Sequence, residues 1–144
     1  PQGSGGLDHR YHFARLGPDG WQQHEIAFAG ERLYAREDDY TGLVAIDPED
    51  VNHLVISTNA DPDSGAPLIS AADQKRHYEI FAGQSQDGGK TFSWQALTKN
   101  STVDNIRPII PAWESDQRVV LWMRGTYTSY TDFDTQVVGV IQTR

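Results

Sequence analysis

Two arginines in this chain stand where an acidic ligand could bind. Arg107 begins a short run with two prolines, and Arg124 ends a strand-like run just before a loop that contains Tyr127. The guanidinium group is planar, always charged and able to hold a carboxylate through two parallel hydrogen bonds. We therefore predict that Arg107 and Arg124 bind an acidic ligand. The alternative for Arg107 is an ion pair with Asp104.

Three tyrosines fall in predicted loops, where an aromatic ring can stack on a sugar ring and a phenol can bind its hydroxyls. They are Tyr40, Tyr127 and Tyr130. A tyrosine can also protonate a leaving oxygen, so Tyr127 is a candidate catalytic acid. His77, beside Arg76 at the start of a predicted strand, is the candidate base. The alternative is that the tyrosines pack loops against the sheets.

Metal and cofactor sites are weakly indicated. The five histidines are scattered without metal-ligand spacing, and the chain has no cysteine. Asp38 with Asp39, and Asp61 with Asp63, could supply oxygen ligands to calcium, although solvated acidic loops are commoner. We predict no cofactor, with calcium as the one possible ion.

The balance of charge narrows the classes of partner. The chain has 20 Asp and Glu against 12 Lys and Arg, a formal net charge of −8, which disfavours binding to nucleic-acid phosphates. No apolar run approaches the roughly 20 residues that cross a bilayer. An anionic polymer stays possible as a ligand if the few arginines cluster.

The pattern of apolar residues predicts an all-β protein. Short alternating or apolar runs are separated by turns rich in Gly, Pro and Asp, and no stretch has the helical period. The predicted strands cover residues 10–16, 21–28, 42–46, 53–58, 77–82, 92–97, 106–111, 118–124 and 136–141. We expect residues 42–46 to be buried on both faces, residues 29–41 to form a long surface loop, and residues 126–134 to form another.

One turn has a specific chemical pattern. Ser85, Asp87, Gly89, Thr91 and Phe92 stand between two predicted strands. A short acidic side chain can accept hydrogen bonds from the amides of its own turn, and glycines supply the positive φ angles that such a turn needs. The pattern therefore predicts a hairpin closed by its own aspartate, and an ordinary Asp-Gly hairpin is the alternative.

This turn resembles the Asp box, or BNR repeat, which lies between the third and fourth strands of many propeller blades. Phe92 replaces the usual tryptophan. Further segments, at residues 8–15, 38–48, 76–81, 100–108 and 121–127, resemble BNR-repeat propellers that are similar to ulvan lyases and to propeller enzymes cleaving rhamnose–glucuronate linkages. The resemblance implies a seven-bladed parent whose last third is this chain, and a secreted or periplasmic location. It also implies that the lyases' catalytic His and Tyr lie on earlier blades, which would leave this segment inactive alone.

The predicted blades do not complete a ring. Residues 8–28 would form half a blade, 42–98 a full blade and 105–144 the last blade, after a flexible lead at 1–7. A closed propeller needs at least about 4 blades, and this chain has about two and a half. The remaining blades, or further copies of the chain, would close the ring. A β-sandwich of the same strands is the alternative.

Three functions remain open at this point. The first is a segment of a carbohydrate-active enzyme, either a polysaccharide lyase or a glycosidase, acting on acidic polysaccharide that contains uronic acid or rhamnose. The second is a glycan-binding propeller without catalysis, and the third is a self-assembling propeller fragment. Neither nucleic acid nor a membrane is expected as a partner.

Overall fold

All regular structure in the described part of the chain is β-strand, which confirms the predicted all-β class. The computed structural model describes residues 6–112 and 116–143. No helix within these ranges is long and apolar enough to cross a lipid bilayer. The strands are β1 His9–Gly17, β2 Gly20–Gly30, β3 Val44–Ile46, β4 His53–Thr58, β5 Glu79–Gln84, β6 Ser93–Ala96, β7 Asp104–Ile109, β8 Gln117–Ser129 and β9 Asp132–Thr143.

The strands form three antiparallel sheets in chain order. β1 and β2 make an N-terminal hairpin, β3 to β6 make a central sheet in the order β3-β4-β5-β6, and β7 to β9 make a C-terminal sheet in the order β7-β8-β9. Each strand pairs with the strand before or after it, so every sheet runs up and down without a crossover. Most of the predicted lead, residues 1–5, lies outside the described residues, and the carbonyl of Gly6 accepts a hydrogen bond from the amide of Arg32.

The central sheet lies between the other two. Leu54 and Ile56 pack against Tyr11 and Phe13 of the N-terminal hairpin. Val55, between them on β4, packs with Trp122 of the C-terminal sheet. This alternation follows from the two-residue period of a strand, because successive side chains point to opposite faces. The result is three stacked sheets, whereas a two-sheet sandwich leaves no sheet covered on both faces.

Strand β3 is more exposed than its sequence suggested. The apolar run at 42–46 predicted burial on both faces, but Val44 and Ile46 are 44% and 50% exposed. The reason is topological, since β3 is an edge strand of the central sheet and has a neighbour on one side only. The predicted burial of this run on both faces is therefore wrong.

The predicted loop at 126–134 is wrong. β8 continues to Ser129 and β9 begins at Asp132, so most of these residues form a long paired hairpin with a tight turn. Threonine and tyrosine favour strands, and their cross-strand pairs support the ladder as far as Tyr127 opposite Phe133. Tyr127 consequently lies on a strand and is buried, with 6% of its surface exposed.

The two prolines of the Arg107 run are placed where a sheet tolerates them. β7 is an edge strand, and its pairing with β8 shifts register between Ile106 and Ile109. Proline has no amide to donate, so it is confined to edges and bulges. Pro108 lies within this irregularity. The break also releases Arg107 from the regular ladder.

The outward face of the C-terminal sheet is apolar. Val138 and Val140 of β9 pack toward the central sheet, while Val137 and Ile141 point the other way and are 71% and 67% exposed. Ile109 and Phe133 are also exposed. Soluble domains rarely leave large apolar patches without a partner. This face is therefore an exposed apolar patch of the C-terminal sheet.

Candidate functional site

The turn between β5 and β6 is closed by Asp87, as its sequence predicted. One carboxylate oxygen accepts hydrogen bonds from the amides of Lys90 and Thr91, both at 3.0 Å, and the other accepts from the Thr91 hydroxyl at 2.7 Å. The Ser85 hydroxyl donates to the same carboxylate at 2.9 Å. These bonds, those from Thr91 first, hold the pKa of Asp87 far below its usual value. The turn joins the third and fourth strands of the central sheet.

The same turn anchors the N-terminal hairpin. The Ser85 hydroxyl accepts a hydrogen bond from the Gly89 amide at 2.8 Å. Gly89 has φ of 92°, and a β-carbon there would stand 2.3 Å from the Phe13 ring. Phe92 packs on Phe13 with ring centroids 5.7 Å apart. The turn is therefore structural, because it fixes one sheet against the next.

Arg107 lies where the C-terminal sheet meets the first strand of the central sheet. Its amide donates to the Gly42 carbonyl at 2.8 Å instead of to the ladder of β8. Its φ angle is +55°, a region that side chains other than glycine rarely occupy. Strained backbone of this kind, next to a bulge, is commonest at functional sites.

The guanidinium of Arg107 rests among tyrosine rings. Its Nη2 donates to the Tyr127 hydroxyl at 2.6 Å. Its central carbon lies 4.8 Å from the centre of the Tyr127 ring and 5.5 Å from that of Tyr40. These distances are within the range of cation–π attraction. Three of the residues predicted to form the site, Arg107, Tyr40 and Tyr127, are thus brought together.

Further aromatic rings complete this cluster. Tyr34 lies 5.7 Å from both Tyr40 and Tyr127, and Phe133 stacks on Tyr127 at 5.9 Å. Desolvation, followed by the nearby Glu37 carboxylate, raises the pKa of Tyr34. The tyrosine hydroxyls and the guanidinium make a surface that is aromatic, cationic and rich in hydrogen-bond donors. We call Arg107, Tyr34, Tyr40 and Tyr127 the arginine–tyrosine cluster.

A buried tyrosine positions the loop that carries Tyr34 and Tyr40. The hydroxyl of Tyr11 lies 2.9 Å from the Thr41 hydroxyl and donates to the carbonyls of Leu43 and Ser57 at 3.0 and 2.8 Å. Gly42 permits this approach, because a β-carbon there would lie 2.1 Å from the Ser57 hydroxyl. Tyr11 therefore ties the loop to β4.

Arg107 has no carboxylate partner within residues 6–112 and 116–143. The alternative pairing with Asp104 is not formed. Asp104 instead faces His77, whose Nδ1 is 3.5 Å from the carboxylate, and accepts a hydrogen bond from the Tyr78 amide at 3.0 Å. The positive charge of Arg107 is therefore held by rings and a hydroxyl, without a compensating anion.

Comparisons with known proteins do not assign this cluster to a family. No family model, curated protein or solved structure matches the chain. The geometry described above is accordingly the main ground on which the site can be interpreted.

His77 is held on both sides by carboxylates. Its Nε2 lies 2.8 Å from Asp73 and its Nδ1 3.5 Å from Asp104. The hydrogen bond to His77 lowers the pKa of Asp73, whereas burial raises the pKa of Asp104. With both ring nitrogens facing carboxylates, His77 is better placed to join the loop before β5 to β7 than to take a proton from a ligand.

The other two predicted site residues lie apart from the cluster. Arg124 faces a cleft between the central and C-terminal sheets, together with Lys99 and Trp122. Tyr130 is at the turn between β8 and β9 and is 72% exposed. Neither has a ring contact or hydrogen bond to the arginine–tyrosine cluster among the described contacts.

Two of the four carboxylates considered for calcium, those of Asp38 and Asp61, have other partners. Asp61 accepts hydrogen bonds from the Ser64 hydroxyl at 2.7 Å and amide at 2.8 Å, and the hydroxyl bond is the main cause of its lowered pKa. Asp38 pairs with Arg32. In the part of the chain that the structure describes, no three acidic, histidine or cysteine side chains converge as a metal site would require.

Sequence reasoning missed Tyr34 and Phe133. Tyr34 is in the same charged, aromatic loop as Tyr40. A hydrogen bond from the Leu33 amide to the Tyr40 carbonyl folds that loop back on itself. The composition of the loop was the available signal. Phe133 falls in the predicted loop at 126–134, and a loop prediction implies no pairing opposite Tyr127.

Proposed function

We propose that the three sheets are consecutive blades of a β-propeller whose ring is completed by further blades or by other copies of the chain. Support comes from the up-and-down sheets in chain order and from the Asp87 turn between the third and fourth strands of the central sheet. The apolar outward face around Val137 and Ile141 also favours a further sheet against the C-terminal one.

We propose that the arginine–tyrosine cluster binds an acidic saccharide, with Arg107 holding a uronic-acid carboxylate. The observation that carries this is a part-buried guanidinium that is surrounded by tyrosine rings and has no carboxylate partner in the part of the chain that the structure describes. Aromatic rings stack on the apolar faces of sugars, and phenol hydroxyls bind sugar hydroxyls. Removing a guanidinium from water is costly unless its charge is met, so an anionic ligand is favoured at this position.

The same arrangement suits β-elimination from a uronic acid. In that reaction a base removes the proton from the carbon beside the carboxylate, the neighbouring carbon–oxygen bond breaks as the double bond forms, and an acid protonates the leaving oxygen. Arg107 would neutralise the carboxylate and so stabilise negative charge that develops beside it. Tyr127 would be the acid, because its oxygen accepts from Arg107 and its own proton is left to donate.

The base is the missing component. His77 faces Asp73 and Asp104 rather than the cluster, so in this proposal it positions β7 and a residue outside the cluster takes the proton. We therefore expect the chain alone to bind without turnover. A polysaccharide lyase is the proposed activity of a polypeptide that includes the remaining blades. The alternative is a propeller that binds glycans and does no chemistry.

Calorimetric titration with a glucuronate-containing disaccharide and its carboxyl-reduced, neutral counterpart tests the binding proposal. Arg107→Gln should weaken binding of the acidic sugar by about tenfold, since a charged hydrogen-bonded pair is lost. Binding of the neutral sugar should change little. Arg15→Gln, which removes an exposed arginine of β1, is the matched control. If Arg107→Gln weakened the binding of both sugars equally, Arg107 would not be the residue that binds the carboxylate.

The catalytic proposal needs a second assay. The chain, and any longer polypeptide that contains it, should be incubated with uronic-acid polysaccharides while the absorbance of unsaturated product and the release of reducing sugar are followed. Turnover with unsaturated product supports a lyase, and reducing sugar without it supports a glycosidase. Binding without either would leave a glycan-binding propeller.

A further inference from the structure

Arg124 shares an unusual property with Arg107. Among the described residues, seven cationic side chains lack a salt bridge, and five of these are exposed, whereas Arg107 and Arg124 are part-buried. In a chain with a net charge of −8, carboxylates are abundant, so an unpaired part-buried arginine is not explained by a lack of partners. The five exposed cations are Arg15, Arg36, Lys75, Lys90 and Lys99.

Arg124 lines a cleft that contains only neutral and cationic side chains. The cleft lies between the central and C-terminal sheets, has a volume of about 480 Å³, and is bordered by Arg124 and Lys99. Trp122 and Asn105 form part of its inner wall. No aspartate or glutamate is among its lining residues, so the two positive charges reinforce each other there.

A buried carboxylate behind this wall is already occupied. Glu79, 4% exposed, accepts hydrogen bonds from the amide and hydroxyl of Ser101, both at 2.8 Å, and from the Asn105 side chain at 3.3 Å. Trp122 in turn donates to Asn105 at 2.9 Å. This network fixes the inner wall of the cleft through neutral donors and leaves Arg124 outside it.

Arg124 also borders a second hollow, of about 350 Å³, with a different lining. Thr102, Thr126, Thr135 and Gln136 present hydroxyl and amide groups there, with Asp134 as the one carboxylate. Hydroxyls, amides and a carboxylate are the groups that exchange hydrogen bonds with sugar hydroxyls. Arg124 lines both hollows, so the two together make a groove that is cationic on one side and polar on the other.

We propose that this groove, which we call the Arg124 groove, is a second subsite for an anionic sugar unit. The inference rests on the proposed function for the class of ligand, and it adds that the ligand is a polymer with acidic groups on more than one unit. Arg124 pairs with Asn105, two residues before Arg107 on β7. Strand spacings therefore put the two arginine backbones within about 10 Å of each other. Arg124 and Tyr127 are three residues apart on β8, so the Arg124 groove and the arginine–tyrosine cluster open on opposite faces of the sheet. An oligosaccharide that contacts both has to pass the end of the sheet, which takes more than a disaccharide.

The test is calorimetric titration of the 144-residue chain with a glucuronate-containing disaccharide and with the tetrasaccharide of the same repeat. Arg124→Gln and Lys99→Gln remove the charges of the groove, while Arg15→Gln and Lys90→Gln remove exposed charges elsewhere. We expect Arg124→Gln to weaken tetrasaccharide binding by about tenfold, and Lys99→Gln by about threefold. Disaccharide binding, which Arg107 alone can support, should be unchanged in both variants.

The outcomes separate this inference from the proposed function. If Arg107→Gln weakens both ligands but Arg124→Gln weakens the tetrasaccharide no more than Arg15→Gln does, the second subsite is overturned and the first proposal stands. If Arg124→Gln acts as expected while Arg107→Gln has no effect, the groove binds the saccharide and the arginine–tyrosine cluster does not. Equal effects of Arg124→Gln on the acidic tetrasaccharide and on its carboxyl-reduced form would also overturn the role assigned to its charge.

Discussion

The Nη2 of Arg107 donates a 2.6 Å hydrogen bond to the hydroxyl of Tyr127, and this bond joins the edge strand β7 to the strand beside it at the position of the candidate site. It holds the guanidinium beside the Tyr127 ring, 4.8 Å from the ring centre. It also directs the tyrosine proton away from Arg107. One contact thereby orients both the charge and the donor on which the proposed function depends.

Loss of the Tyr127 hydroxyl should weaken binding moderately. Tyr127→Phe keeps the ring packing but removes the hydroxyl that restrains Arg107, which is worth about 0.5–1.5 kcal/mol. We expect a threefold to tenfold weaker affinity for the acidic disaccharide, measured by calorimetry. Tyr130→Phe, which removes the hydroxyl of an exposed tyrosine apart from the cluster, is the control. If Tyr127→Phe binds the disaccharide as tightly as Tyr130→Phe does, the Tyr127 hydroxyl has no part in positioning Arg107.

Tyr11→Phe should lower the free energy of unfolding. The change leaves the carbonyls of Leu43 and Ser57 without the donor that they share, at a cost of about 1–3 kcal/mol. Urea unfolding followed by tryptophan fluorescence measures this. Tyr130→Phe, at a ring that is 72% exposed, should change stability little, and a similar loss there would contradict the assigned role of Tyr11.

Stability should depend on Asp87 in acid. Its pKa in the folded chain is lowered from the usual 3.8 by the hydrogen bonds of the turn. A lowered carboxyl pKa stabilises the fold fully above the unfolded value and loses that contribution as the pH falls through the folded value. Asp87→Asn should therefore lower the melting temperature at pH 6 and have progressively less effect below pH 4. Asp19→Asn, in the turn between β1 and β2, is the comparison. If the effect of Asp87→Asn on the melting temperature were constant across this pH range, the hydrogen bonds to the ionised Asp87 carboxylate would not be what stabilises the turn.

Replacement of His77 should affect stability more than chemistry. His77→Gln removes the ring that faces both Asp73 and Asp104, and the partly buried Asp104 keeps only its bond from the Tyr78 amide. We expect a loss of about 1–3 kcal/mol in unfolding free energy, against little change for His12→Gln at the surface. In any active polypeptide that contains the chain, His77→Gln should leave kcat unchanged. A large fall in kcat with unchanged stability would make His77 a catalytic base.

The outward face of the C-terminal sheet should make the isolated chain associate. Light scattering after size-exclusion chromatography is expected to give a mass above the 16.1 kDa of one chain. Val137→Lys, at a residue 71% exposed, should return the mass to that of a monomer, and Gln136→Lys provides the matched control. A folded wild-type monomer would speak against an incomplete ring and for a self-contained stack of sheets.

Features set by neighbouring residues were predictable from sequence, and features set by distant contacts were not. The Asp87 turn depends on seven successive residues whose hydrogen bonds are local, and the strand order followed from short turns. The exposure of Val44, by contrast, depends on which strand lies at the edge of the central sheet. The meeting of Tyr34 with Tyr127 joins residues far apart in the chain, so no local pattern could indicate it.

The positive φ of Arg107 gives this position two opposed demands. Glycine would adopt the same backbone without strain, but it would also give the unfolded chain more conformational freedom. Glycine would abolish the charge, the hydrogen bond to Tyr127 and the contacts with the tyrosine rings. The position therefore keeps a strained arginine where an unstrained glycine would make none of these contacts.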